Sequence, residues 1–145
     1  GILSGVAPNL VYTPTLNYNG SDRITFIVSD GDYNSAPANV RITVTPVNDA
    51  PLAYPQSLAT RQSKSVGINL KADDVDGDAL SYHIFMAPQH GTLSGIGQNV
   101  VYTPENGYSG QDSFFFIAND GLLNSTEAQV SITVLPVIFI PAIYK

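Results

Sequence analysis

The sequence predicts an all-β fold, a Greek-key β-sandwich present as one complete repeat preceded by the C-terminal half of another. Three observations predict it. Short alternating runs rich in Val, Ile, Thr, Tyr and Phe are broken by Gly/Pro/Asn/Asp clusters about every ten residues. No stretch holds a 3.6-residue apolar period long enough for a helix. Residues 1–47 align with residues 91–137 at an offset of 90 without a gap, and about 25 of the 47 positions are identical.

The repeated segments are GILSG (1–5) with GTLSG (91–95), and NLVYTP (9–14) with NVVYTP (99–104). YNGSD (18–22) matches YSGQD (108–112), FIVSDG (26–31) matches FIANDG (116–121), and VRITVTPV (40–47) matches VSITVLPV (130–137). This self-similarity divides the chain into a half-repeat at 1–47, a linker at 48–51, a complete repeat at 52–136 and a tail at 137–145. Within the complete repeat, strand A covers 52–60 and is split near Pro55. Strand B covers 67–72, C 79–87, D 91–95, E 99–103, F 112–119 and G 127–135. Seven short strands of this spacing indicate a sandwich.

Composition narrows the function. The charged fraction is 12%, about half the usual quarter, and the net charge is −6. Duplex nucleic acid and anionic membranes both need a basic face, so neither is expected as a partner. The chain has no cysteine, which excludes disulfides, zinc–thiolate sites and thiol nucleophiles. No apolar run approaches the ~20 residues that span a bilayer as a helix, so membrane insertion is not expected. His83 falls in a strand and His90 in a turn, and neither has an acid and a serine placed to make it catalytic. No catalytic residue is assigned.

The few acids cluster, as Asp30/Asp32, as Asn48/Asp49, and as Asp73, Asp74, Asp76 and Asp78. In a seven-strand Greek key, strand A leaves the preceding repeat and strand B returns toward it, so the B–C loop lies beside the linker. That loop carries Asp74 and Asp76, and the end of strand F brings Asp120 to the same end. In the half-repeat, Asp22 begins strand F and Asn48/Asp49 follow strand G, both at the opposite end. Asp22, Asn48, Asp49, Asp74, Asp76 and Asp120 are therefore expected to converge where the two repeats join. Strand F spans roughly 27 Å, which keeps Asp30 away from them. An all-oxygen donor set without His or Cys suits a hard cation with 6–8 ligands, Ca²⁺ before Mg²⁺. Two plainer readings stay open: DDVDGD as a solvated turn, and Asn48-Asp49 as a turn before Pro51. An EF-hand fails, because Phe85 takes the twelfth position, where a bidentate Glu is needed.

Tyr18 and Tyr108 sit in Y-x-G-x-D just before strand F. Their expected role is a corner in which the hydroxyl bonds backbone, with Gly20 and Gly110 supplying a positive φ. The rival role is a sugar-stacking platform.

Together GILSG, VVYTP, GQDSF, VSDG, ITVTPVNDAP and DDVDGD resemble the bacterial cadherin-like and VCBS-type tandem repeats, which are immunoglobulin/cadherin-like sandwiches. The resemblance covers the chain to about Pro136. It implies calcium at the linker, because VNDAP (47–51) and Asp74-Val75-Asp76 look like the cadherin linker motif and its D-x-D partner. Thr45 stands where cadherins carry the first linker Asp, which implies fewer or weaker ions. It also implies an extracellular or cell-surface location, and a spacer role beside neighbouring repeats of the same array. A cell-surface protein or polysaccharide would be the further partner. The alternative is a carbohydrate-binding accessory module of a polysaccharide-degrading enzyme, against which stands the lack of Trp.

Two further expectations follow. The strand-G exit of the second repeat, LPVIFIPAIYK, carries neither Asn nor Asp, so that repeat is expected to end its array, with Asp112 left without partners to complete a site and residues 137–140 packed on a sheet edge or a partner. Residues 1–47 supply only strands D to G and need a strand-completing partner. This could be a cleaved upstream piece that stays bound, a second half-repeat, or a donated tail strand. The first is favoured, because Gly1 falls in the easily nicked C–D turn.

Overall fold

The computed structural model of the chain describes residues 1–138. Every regular element among them is a β-strand, and no helix is long and apolar enough to cross a membrane. The contacts divide the chain into two compact units, Gly1–Asn48 and the part from Asp49 onward.

Unit one holds two antiparallel hairpins. β1 (Ile2–Val6) pairs with β2 (Asn9–Thr13), and β3 (Gly20–Phe26) pairs with β4 (Ala38–Val44). The Tyr12 hydroxyl donates to the Asp22 carboxylate at 2.6 Å and ties β2 to β3.

Unit two holds nine strands: β5 (Leu52–Ala53), β6 (Gln56–Arg61), β7 (Val66–Asn69), β8 (Ala72–Asp73), β9 (Ser81–Met86), β10 (Gly91–Ile96), β11 (Asn99–Pro104), β12 (Gly110–Asn119) and β13 (Ala128–Leu135). One sheet has the order β6-β13-β12-β9 and another β10-β11-β7, while β5 pairs with β8. The expected strand A does break at Pro55, which has no N–H to give a ladder. Its two pieces have different partners. β5 runs antiparallel to β8, whereas β6 runs parallel to β13. Strand B is also split: β7 pairs with β11, then Leu70 N–H bonds Gln98 O and Tyr54 N–H bonds Lys71 O before β8 meets β5.

Period-two alternation explains the core. Along β12, Asp112, Phe114, Phe116 and Ala118 point inward. Along β13, Ala128, Val130, Ile132 and Val134 do the same. The opposing sheet contributes Ile68, Val100 and Tyr102, with Leu70 just beyond β7, and Tyr82 and Ile84 pack against this cluster from β9. Burying each large side chain is worth roughly 1.5–3 kcal/mol.

The same sequence positions behave differently in unit one. Phe116 is fully buried, yet its counterpart Phe26 is 45% exposed; Val130 is fully buried, and Val40 is 46% exposed. What differs is the cover. In unit two, β6 and β9 flank β13 and β12 in their sheet and β7 adds to the opposing one, and unit one contains no equivalents of β5–β9. The alternation is retained in unit one, but its apolar face meets solvent.

Of residues 137–140, expected to pack on a sheet edge or a partner, the first two do not pack on a sheet edge of this chain. Val137 and Ile138 are exposed, and Val137 N–H donates to Gln62 Oε1 at 3.1 Å. Residues 139–145 lie outside the described residues.

Candidate metal site

The acidic loop between β8 and β9 is curled by its own first residue. Asp74 Oδ1 accepts the backbone N–H groups of Asp76 (2.8 Å) and Asp78 (3.4 Å), and Gly77 N–H reaches Asp74 O. Asp is suited to this because its short carboxylate reaches backbone two residues on. Gly77 has φ +81°, a conformation that costs glycine little. The curl brings one oxygen each from Asp74, Asp76 and Asp78 within 4.8 Å of one another. Asp74 Oδ2 is buried and accepts no hydrogen bond.

Three carboxylates so close repel. Each pair costs about 1 kcal/mol at ~4 Å in bulk water, and more where solvent is excluded. An orphaned buried oxygen adds a desolvation cost. A hard divalent cation would remove both costs. The donor set, oxygen only and flexible, fits Ca²⁺ better than Mg²⁺, which needs near-ideal octahedral geometry.

The six residues expected to converge are distributed as follows. Asp74 and Asp76 are in the cluster. Asp49, at the start of unit two, joins them through its backbone: its N–H donates to Asp76 Oδ2 at 2.8 Å. Asp120 follows Asn119, which pairs with Ser81 at the start of β9, so Asp120 lies at the same end of the sandwich as the loop. Its Oδ1 accepts the N–H groups of Leu122 and Leu123 and shapes the β12–β13 turn. Asn48 and Asp22 belong to unit one. The Asp22 carboxylate accepts from the Tyr12 hydroxyl and from Arg23 N–H. These bonds hold its carboxyl below the usual range, the Tyr12 bond being the largest cause, and the bond to Asp22 pushes Tyr12 up to about 12.

Asp78 was absent from the expected ligand set, yet it completes the cluster. Its signal was available: three Asp at every second position around a glycine. Asp112, expected to lack partners that would complete a metal site, is instead a hydrogen-bond acceptor within its own repeat. Asp112 Oδ1 accepts Gln89 N–H (3.0 Å) and Ser113 N–H (2.8 Å); Oδ2 accepts His90 N–H (2.9 Å) and the Tyr102 hydroxyl (2.8 Å). Burial opposes its charge, but these four donors outweigh it and hold its carboxyl below the usual range. Burial, then the bond to Asp112, pushes the Tyr102 hydroxyl up. The Tyr–Asp pair at a fixed spacing, Tyr12/Asp22 and Tyr102/Asp112, was visible in both repeats.

The tyrosine corner is present. Tyr18 donates to Ser21 O at 2.7 Å and Tyr108 to Gln111 O at 2.6 Å, with φ +118° at Gly20 and +149° at Gly110. His90 stacks on Tyr108 at 4.2 Å, so one face of that ring is taken.

Comparison with known proteins agrees with this architecture. Integrin beta-like protein B of Dictyostelium discoideum is 34% identical over 76 residues, which is 52% of this chain and 4% of that protein. Protein GAMETE EXPRESSED 2 of Arabidopsis thaliana is 36% identical over 86 residues, 59% of this chain and 9% of that one. The chain thus spans less than a tenth of either relative. Among solved structures, human mucin-like protocadherin EC1-2 matches with a TM-score of 0.58 at 17% identity, over 93% of this chain and 78% of that one. An endo-fucoidan hydrolase of glycoside hydrolase family 107 matches with a TM-score of 0.52 at 28% identity, over 94% of this chain and 22% of that one. The model of the bacterial Ig domain matches residues 2–43 and again 48–133, and the chain belongs to that family.

Proposed function

We propose that the chain is a non-catalytic, calcium-stiffened spacer of an extracellular or surface-attached protein. The observation that supports this most is the Asp74/Asp76/Asp78 cluster with its buried, unpartnered Asp74 oxygen. Asp49 already meets Asp76 through its backbone. A Ca²⁺ ion on the cluster would neutralise the carboxylates and fix the segment that enters unit two. Asn48, Asp120 and Asp22 remain further proposed ligands, Asp22 the least suited because both its oxygens accept hydrogen bonds within unit one. Titration calorimetry tests the reading. The parent should bind Ca²⁺ and gain heat stability with it, because a ligand of the folded state stabilises by mass action. Asp74→Ala/Asp76→Ala should lose both effects; equal Ca²⁺ affinity in parent and variant would refute the assignment.

A second reading, an accessory module of a polysaccharide-degrading enzyme, is favoured by the likeness to an endo-fucoidan hydrolase of which this chain covers 22%. Co-sedimentation with insoluble polysaccharides separates the two, since a pure spacer stays in the supernatant.

A further inference from the structure

Unit one and unit two carry matching strands of different length. β12 runs from Gly110 to Asn119, whereas β3, aligned with it at the offset of 90, stops at Phe26. The residues that β12 has in excess, 117–119, pair with β9 and not with β13. β13 likewise runs one residue further than β4, to Leu135, and Leu135 pairs with β6 alone. Both shortfalls in unit one fall where the ladder of unit two rests on a strand from residues 49–90.

The Asp22 carboxylate shows the same shortfall. It repeats half of the Asp112 bracket: Tyr12 stands for Tyr102, and Arg23 N–H for Ser113 N–H. In unit two the other two donors are Gln89 and His90 N–H, from the β9–β10 turn. Unit one has only the Gly1 ammonium near Asp22, at 3.6 Å. The inward side chains agree. Leu10 is 49% exposed, and its counterpart Val100, beside β7, is 6% exposed.

We propose that unit one is an acceptor for a separate polypeptide segment with the strand pattern of residues 49–90. Open strand edges beside an alternating apolar face offer such a segment backbone bonds and side-chain pockets together. Unit two sets the register. One strand runs parallel to residues 40–45, a second antiparallel to residues 25–29 and a third antiparallel to residues 9–12. The end of the segment brings two amides to Asp22. A second copy of unit one fits poorly, because twofold pairing of β4 with itself is antiparallel and this edge takes a parallel strand in unit two. A single donated strand fills one edge of three. The chain's own residues 49–90 are engaged in unit two. The proposal does not rest on the calcium reading.

The test adds residues 49–90, fused to a soluble carrier, to the 145-residue chain in EDTA and follows hydrogen exchange by mass spectrometry. Protection of amides in residues 9–12, 25–29 and 40–45 should rise at least tenfold, and that of β10–β13 should stay within twofold. The carrier alone, or bearing a scrambled segment, should protect nothing. Phe26→Asp/Val40→Asp changes exposed positions of unit one and should abolish the effect. Ile84→Asp in the added segment removes a side chain that packs on the core in unit two and should weaken the effect at least tenfold. The proposal is overturned if the segment protects nothing, if the scrambled segment protects equally, or if the Phe26/Val40 variant responds as the parent does. It is also overturned if the chain alone sizes as a dimer with these amides already protected, which would make a second copy the occupant.

Discussion

Replacing Asp112 by Ala removes one carboxylate that accepts from four donors. Three are backbone N–H groups, of Gln89, His90 and Ser113, and the fourth is the Tyr102 hydroxyl. Asp112 is only 7% exposed and Tyr102 is fully buried, so water cannot simply replace the carboxylate. An unsatisfied buried donor costs roughly 1–3 kcal/mol, and the Tyr102 hydroxyl keeps its contact to His90 O at 3.2 Å. With partial relaxation of the turn the total is about 3–5 kcal/mol, a large share of the ~5–15 kcal/mol that holds a domain together. At a urea m-value of ~2 kcal/mol/M the midpoint falls by about 2 M. The assay is urea unfolding followed by tyrosine fluorescence, since the chain has 8 Tyr and no Trp. Asp112→Asn keeps one acceptor oxygen and should fall between parent and Ala variant, and Tyr102→Phe should lose about 1–2 kcal/mol for one buried bond. Acid adds a second readout. The Asp112 pKa is lowered on folding, so its contribution is complete above the unfolded carboxyl value near ~4 and drains away as pH falls below it. Asp112→Asn should lack that acid-linked loss. A midpoint for Asp112→Ala within about 0.3 M of the parent would refute the bracket role.

Three other outcomes are expected. Phe116→Ala should cost unit two about 3–5 kcal/mol, whereas Phe26→Ala, at the matching but half-exposed position, should leave the unfolding curve nearly unchanged. Gly95→Ala should destabilise by at least ~1 kcal/mol, because φ is +107° and an added Cβ would run into Asn99 O, while Gly67→Ala, which meets nothing, should be tolerated in a melting experiment. In hydrogen exchange, amides of β12 and β13 should approach global protection, and those of β1–β4 should exchange orders of magnitude faster, since no apolar layer covers them.

Most of the sandwich was legible because its strands are half-buried and alternate strictly. Phe114-Phe115-Phe116 within β12 shows how little ambiguity remains once Asp112 and Ala118 fix the inward phase. The break at Pro55 was legible from the missing N–H. That its two sides would pair with β8 and β13 was not, because partner choice is a long-range property. The acidic loop was legible as a cluster, but not its membership. The likeness to a D-x-D motif singled out Asp74 and Asp76, while the Asp74-centred turn that also gathers Asp78 depends on backbone geometry. The hydrogen bonds of Asp22 and Asp112 were hidden for a related reason. A carboxylate at a strand start reads the same whether it awaits an ion or receives backbone amides, and only the position of the β9–β10 turn tells them apart.

The parallel pairing of β6 with β13 bears on what happens when the chain is pulled. Unit two is entered just before Gln56 and left just after Leu135, and the ladder runs from Gln56↔Val130 to Arg61↔Leu135. Tension applied through the two termini therefore acts at opposite ends of one ladder and along its length. Its hydrogen bonds are loaded in shear and must give way together, whereas an antiparallel hairpin pulled from its open end unzips one bond at a time. The short strand β5, paired only with β8, lies ahead of this ladder on the incoming side. It would yield first and leave the β6–β13 clamp to bear the remaining load, which gives the repeat two successive force thresholds within a single folded unit.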